Sequence, residues 1–95
     1  MALSKSQHQK NYIKKNREFL VSLKNKPCAD CKVQYPPYVM DFDHAEGSYK
    51  EYVVAWMPAR FGRKKILAEI SKCDLVCSNC HRIRTHERKK ASLAQ

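Results

Sequence analysis

The sequence predicts a small α+β domain stapled by metal. Three observations predict it. Four cysteines fall in two CxxC pairs, Cys28/Cys31 and Cys77/Cys80, separated by residues 32–76. Apolar residues recur at helical spacing in the N-terminal stretch and between residues 61 and 73, and a basic helix closes the chain. Two short strand-like runs lie between the cysteine pairs. The 95 residues suffice for one domain with a limited core, and domains of this size often need a metal or disulfide brace.

Each element has its own justification. Residues 1–26 hold seven Lys/Arg and one acid, Glu18, and read as a basic N-terminal helical arm. Within it Ile13 and Leu20, and Tyr12, Phe19 and Leu23, fall on one face, predicting an N-terminal helix over about 5–25. Ser4 or Ser6 caps its start and Pro27 stops it. Residues 28–38 form a knuckle and turn, extended at Pro36-Pro37. Residues 38–44 read as a strand that Gly47 and Ser48 interrupt. Residues 50–60 fit either a short helix or a core-covering loop, ended by Pro58. An inserted helix at about 61–73 sets Phe61, Ile66, Leu67, Ile70 and Cys73 opposite Arg63, Lys64, Lys65 and Glu69. Residues 74–76 make a very short strand, 78–90 a basic helix and 91–95 a tail.

The odd count of five cysteines argues against a fully paired secreted framework. Their spacing favours metal in a reducing compartment, so a cytoplasmic protein is expected. No run approaches the roughly 20 apolar residues of a membrane span, and the first twenty residues are lysine-rich and polar. A membrane partner is therefore not expected. The net charge of +10 points instead to a polyanion, and nucleic acid is the commonest.

Two CxxC knuckles offering four thiolates suit tetrahedral zinc, so Cys28, Cys31, Cys77 and Cys80 are the expected structural Zn²⁺ ligands. Lys26, Lys32 and Arg82 flank them and favour thiolates. Cys73 is left over and reads as a small core hydrophobe.

Asp41-Phe42-Asp43-His44 lies between the knuckles. On a strand Asp41 and Asp43 share one face, Phe42 and His44 the other. A turn just beyond lets Asp43 and His44 project into one site. A carboxylate that holds a hard cation such as Mg²⁺, beside a neutral imidazole that deprotonates water, is what metal-assisted phosphodiester cleavage needs. His81 directly follows Cys80, so a shared zinc brings it towards this strand.

The string Asp43-His44, followed by Asp74-Leu75-Val76-Cys77-Ser78-Asn79-Cys80-His81-Arg82-Ile83-Arg84, resembles the HNH endonuclease family. The resemblance covers about residues 27–90, which would form the nuclease domain. It implies a ββα-metal fold, two short strands and a helix around one divalent ion, with metal-dependent nicking or cleavage of DNA. It implies His44 as general base, Asp43 and His81 as ligands of the catalytic ion (Mg²⁺, or Mn²⁺ or Ni²⁺), and Asp74 in place of the middle Asn that orients the base histidine. Asp at position 74 departs from the family pattern, since it accepts hydrogen bonds but donates none. The chain is also similar to small stand-alone HNH proteins of bacteriophages, some of which assist terminase in DNA packaging. That likeness implies a terminase partner by analogy alone, and the host cytoplasm as location.

Three basic groups surround this motif: Arg60, Arg63, Lys64 and Lys65 in mid-chain, Arg82, Arg84 and Arg88 on the last helix, and the lysines of the arm. They are expected to grip the DNA backbone with little choice of sequence. His81, Arg84 and Arg88 share one helical face, whereas His86 lies about 140° round from His81. The alternative expectation is a zinc-stapled DNA-binding module whose nuclease site is degenerate. A third is a protein adaptor contacting partners through Trp56, Met57 and Phe61, residue types more often found in a core.

Overall fold

The computed structural model describes residues 4–93. It is an α+β fold with element order α1 (Lys5–Ser22), β1 (Met40–His44), α2 (Arg63–Ile70), β2 (Cys73–Cys77) and α3 (Ser78–Leu93). Short 3-10 turns span Pro37–Val39 and Val54–Ala59. No helix among the described residues is long and apolar enough to cross a membrane.

Helix α1 starts where Ser4 caps it, with Ser4 Oγ accepting from the Gln7 backbone N–H. It ends at Ser22, short of the expected 25, and Leu20 and Asn16 are its buried residues. The arm is thus tied into the core rather than detached. Asn16 is polar on an otherwise apolar stripe. Its Nδ2 donates to the backbone carbonyls of Pro58 (3.2 Å) and Phe61 (3.0 Å), which docks α1 onto the turn before α2.

The ambiguous stretch resolves as a 3-10 turn with Pro58 inside it, a position that proline's fixed φ permits. Helix α2 is shorter than expected. The Phe61 N–H bonds the Met57 carbonyl of that turn, and extended Gly62 caps α2. Cys73 consequently belongs to β2, not to the end of α2. At the other end α3 continues to Leu93, so the expected tail is helical as far as it is described; Ala94 and Gln95 lie outside the described residues.

The strands β1 and β2 form one antiparallel pair, with Met40 opposite Cys77, Asp43 opposite Asp74 and His44 opposite Cys73. Alternation then divides the sheet. One face carries Met40, Phe42, His44, Cys73, Leu75 and Cys77; the other carries Asp41, Asp43, Asp74 and Val76. Two cores follow. Cys28, Met40, Val76, Cys77 and Cys80 cluster at the knuckle end. Leu20, Val54, Met57 and Ile66, with Phe42 and Cys73 against them, form the second between the sheet, α1 and α2. Met57 and Phe61 are core residues as expected, but Trp56 is 69% exposed.

Candidate functional site

The first knuckle closes locally. The Lys32 N–H bonds the Cys28 carbonyl and the Cys28 N–H bonds the Val33 carbonyl, with Lys32 at a left-handed φ of 67°. The Ala29 N–H donates to the Leu75 carbonyl (2.8 Å) and anchors the knuckle on β2. The second knuckle is the junction of β2 and α3, where the Cys80 N–H points at Cys77 Sγ (3.4 Å).

These bends bring Cys28, Cys31, Cys77 and Cys80 together with all four sulfurs within 4.8 Å of one another. The sulfurs of Cys31 and Cys77 are 4.0 Å apart. Tetrahedral zinc with Zn–S bonds of about 2.3 Å sets its sulfurs about 3.8 Å apart, so the cluster is positioned to hold a metal ion and suits zinc. Burial disfavours the Cys28 thiolate, but N–H groups of Cys31, Cys77 and Asp30 outweigh it and lower its pKa to about 6. A hydrogen bond with Cys77, burial and further bonds to Cys28 and Cys31 push Cys80 up to about 12. Complete ionisation therefore needs a cation. Cys73 lies outside the cluster: its thiol donates to the Glu69 carbonyl, and burial pushes it up to about 11.

Beside this cluster, α3 covers the acidic face of the sheet. Arg84 donates to three carboxylates: to Asp30 from Nε and Nη2 (2.7 Å each), and from Nη1 to Asp43 and Asp74 (3.0 Å each). Arg88 grips both oxygens of Asp43 at 2.9 Å. Burial pushes the Asp43 pKa up, but Arg88 and Arg84 outweigh it and hold the carboxyl below the usual range. His81 stands between two carboxylates, with Nδ1 3.0 Å from Asp41 and Nε2 3.6 Å from Asp43. A carboxylate only accepts, so Nδ1 carries a proton, and Nε2 is the nitrogen turned toward Asp43. An oriented imidazole nitrogen next to a carboxylate oxygen is a donor set that fits a divalent ion, with Asp41 as the outer partner of His81.

His44 lies on the opposite face of the sheet, yet the free edge of β1 opens into a cleft of about 520 Å³ that takes side chains from both faces. Asp41, Asp43, His44 and His81 all line it, with Lys24 and Lys50 on its walls. The Nε2 of His44 is 2.7 Å from the Glu69 carboxylate.

The expected role of Asp74 needs correcting. Asp74 sits on the acidic face and pairs with Arg84, whereas His44 projects from the other face; Glu69 is the residue that touches the histidine. Two of the expected DNA contacts are corrected as well. Arg84 and Arg88 turn inward to carboxylates, because the face they share with His81 packs on the sheet. Arg60, Arg63, Lys64, Lys65 and Arg82 remain exposed. Of these, Arg63 stacks over Phe19 (4.9 Å) and Lys65 over Phe61 (4.8 Å).

Asp41 and Glu69 carry no assigned role in the sequence reading. The alternation that puts Asp41 on the Asp43 face was the signal for one; Glu69 gave none, since its partner lies 25 residues away. Compared with family models, curated proteins and solved structures, the chain matches none.

Proposed function

We propose that this protein is a metal-dependent endonuclease that hydrolyses phosphodiester bonds in DNA, braced by zinc on Cys28, Cys31, Cys77 and Cys80. What supports the reading is one arrangement: Asp43, His81 and His44 line a single cleft immediately beside a four-cysteine cluster. The resemblance to the HNH family rests on the same residues.

Asp43 and His81 would hold the catalytic divalent ion, and such an ion when bound supplies Lewis-acid polarisation of the scissile phosphate. The remaining work falls to the chain. His44 takes the proton of the attacking water as its oxygen bonds to phosphorus and the bond to the leaving oxygen breaks. Lys24 and Lys50 provide positive charge along the cleft for flanking phosphates. The exposed Arg60, Lys64 and Arg82 extend that grip over the surface. One such site per chain cuts one strand, so nicking is the expected outcome.

Supercoiled plasmid tests the reading. The protein should nick it with Mg²⁺, Mn²⁺ or Ni²⁺ and stop when EDTA is added. His44→Ala should slow nicking by about 10²–10⁴-fold, the usual worth of a general base. No nicking with any of the three ions, or a parent rate for His44→Ala, defeats it.

One observation favours a second reading, a zinc-stapled DNA-binding module without catalysis. Both oxygens of Asp43 are engaged by arginines, with which an ion would have to compete. On that reading DNA binds in a salt-dependent way, and no divalent ion produces nicks.

A further inference from the structure

Glu69 is an acid where an acid is costly. It lies on α2, is 3% exposed, and the second core packs around its helix. Its two oxygens are occupied differently. Oε1 accepts from Lys72 Nζ at 3.0 Å. Oε2 accepts from the Glu51 N–H at 3.2 Å and the Tyr52 N–H at 3.5 Å, and faces His44 Nε2 at 2.7 Å. Burial pushes this carboxyl up, yet Lys72, His44 and the two N–H groups outweigh it and hold it at about 2. An ionised carboxylate can only accept, so His44 Nε2 carries a proton. No side chain within the described residues uses His44 Nδ1, and no buried side-chain nitrogen or oxygen there lacks a partner. Nδ1 is therefore open to solvent, on a ring that lines the cleft.

We propose that Glu69 is the positioning residue of the candidate base: it fixes the His44 ring with Nε2–H turned inward and leaves Nδ1 as the nitrogen that receives the proton. This rests on the nuclease reading, and assigns to Glu69 the task that the family resemblance gave to position 74. The same oxygen that holds His44 also holds the chain at Glu51 and Tyr52, where it leaves the cleft wall. Ring and wall are thus set by one carboxylate.

The test compares the full-length, zinc-loaded parent with Glu69→Gln and Lys72→Met. Lys72→Met removes the side-chain partner of Glu69 Oε1 and leaves the His44 bond, so it reports what a purely structural disturbance does. Long-range ¹H–¹⁵N spectra should show His44 in the parent as the Nε2–H tautomer, with a downfield proton slow to exchange. That proton should persist in Lys72→Met and shift and exchange faster in Glu69→Gln. Single-turnover nicking at saturating DNA should fall about 10–100-fold in Glu69→Gln, with the KM for DNA unchanged, and stay within about threefold of the parent in Lys72→Met. An Nδ1–H tautomer in the parent overturns the proposal even if Glu69→Gln fails to fold. So does a parent nicking rate in Glu69→Gln. A parent that fails to nick with each of Mg²⁺, Mn²⁺ and Ni²⁺ overturns the nuclease reading and the catalytic role together. The spectra still decide separately whether Glu69 sets the ring.

Discussion

His81 and His44 each hydrogen-bond a carboxylate through one ring nitrogen and turn the other toward a second neighbour or solvent. The difference between them lies in what surrounds the free nitrogen. For His81 it is the Asp43 carboxylate, already neutralised by two guanidinium groups. On the proposed reading Arg88 and a divalent cation would compete for the same oxygens, so Arg88→Ala should tighten Mn²⁺ binding about tenfold or more by calorimetry, the equivalent of a hydrogen bond between charged groups. Unchanged or weaker binding would mean that the ion is held elsewhere. The pairing of Asp43 with His81 could be read from the sequence, because the second CxxC fixes where α3 begins. Glu69 could not: nothing in the spacing of α2 marks which of its polar residues turns inward to a histidine on another element.

Helix α1 shows how an element reads correctly in outline and wrongly in its key contact. Its apolar spacing predicts the buried side, and of the two serines expected to cap its start Ser4 does so. Asn16 breaks the pattern, yet carries the docking through Pro58 and Phe61. Asn16→Ala would leave two inward-facing carbonyls without these partners. It should cost about 1–3 kcal/mol in urea unfolding of the metal-loaded protein. A change near zero would show that α1 is held by Leu20 and its neighbours alone. Helix α3 errs the other way. Its Arg84 and Arg88 fall on a face with His81, as the spacing states, but that face meets the sheet. Helical periodicity gives the side a residue is on; only the tertiary fold says what the side meets.

At the scale of the molecule, the described residues form two small cores and a sheet of two strands, which is little to sustain a chain of 95 residues. Four of the five residues buried at the knuckle end are either cysteines of the cluster or adjacent to one, with Met40 the exception. A metal ion held by the cluster would substitute for hydrophobic volume there. Apparent binding energies of about 10–16 kcal/mol for structural zinc exceed what such a core supplies, so chelation should unfold the protein cooperatively in circular dichroism. Metal affinity should rise with pH, because Cys80 must surrender a proton held up to about 12 before it can ligate. Release of protons to an indicator dye on zinc addition measures this directly. The α+β class and the cluster were evident from the cysteine spacing and the strand-like runs. The joining of the arm to the core was not, since charge composition says nothing about packing.

Arg84 touches Asp30, between the first two cysteines, and Asp43, in the cleft. A single side chain therefore spans the four-cysteine cluster and the candidate site, so a change in its hold on one would reach the other. On the proposed reading thermodynamic reciprocity follows: a ligand that drew Arg84 away from Asp43 would alter zinc affinity, and zinc loss would alter affinity for that ligand by the same factor. Zinc affinity, measured by equilibrium competition with a chromogenic chelator with and without Mn²⁺ and DNA, should differ in the parent and converge in Arg84→Ala.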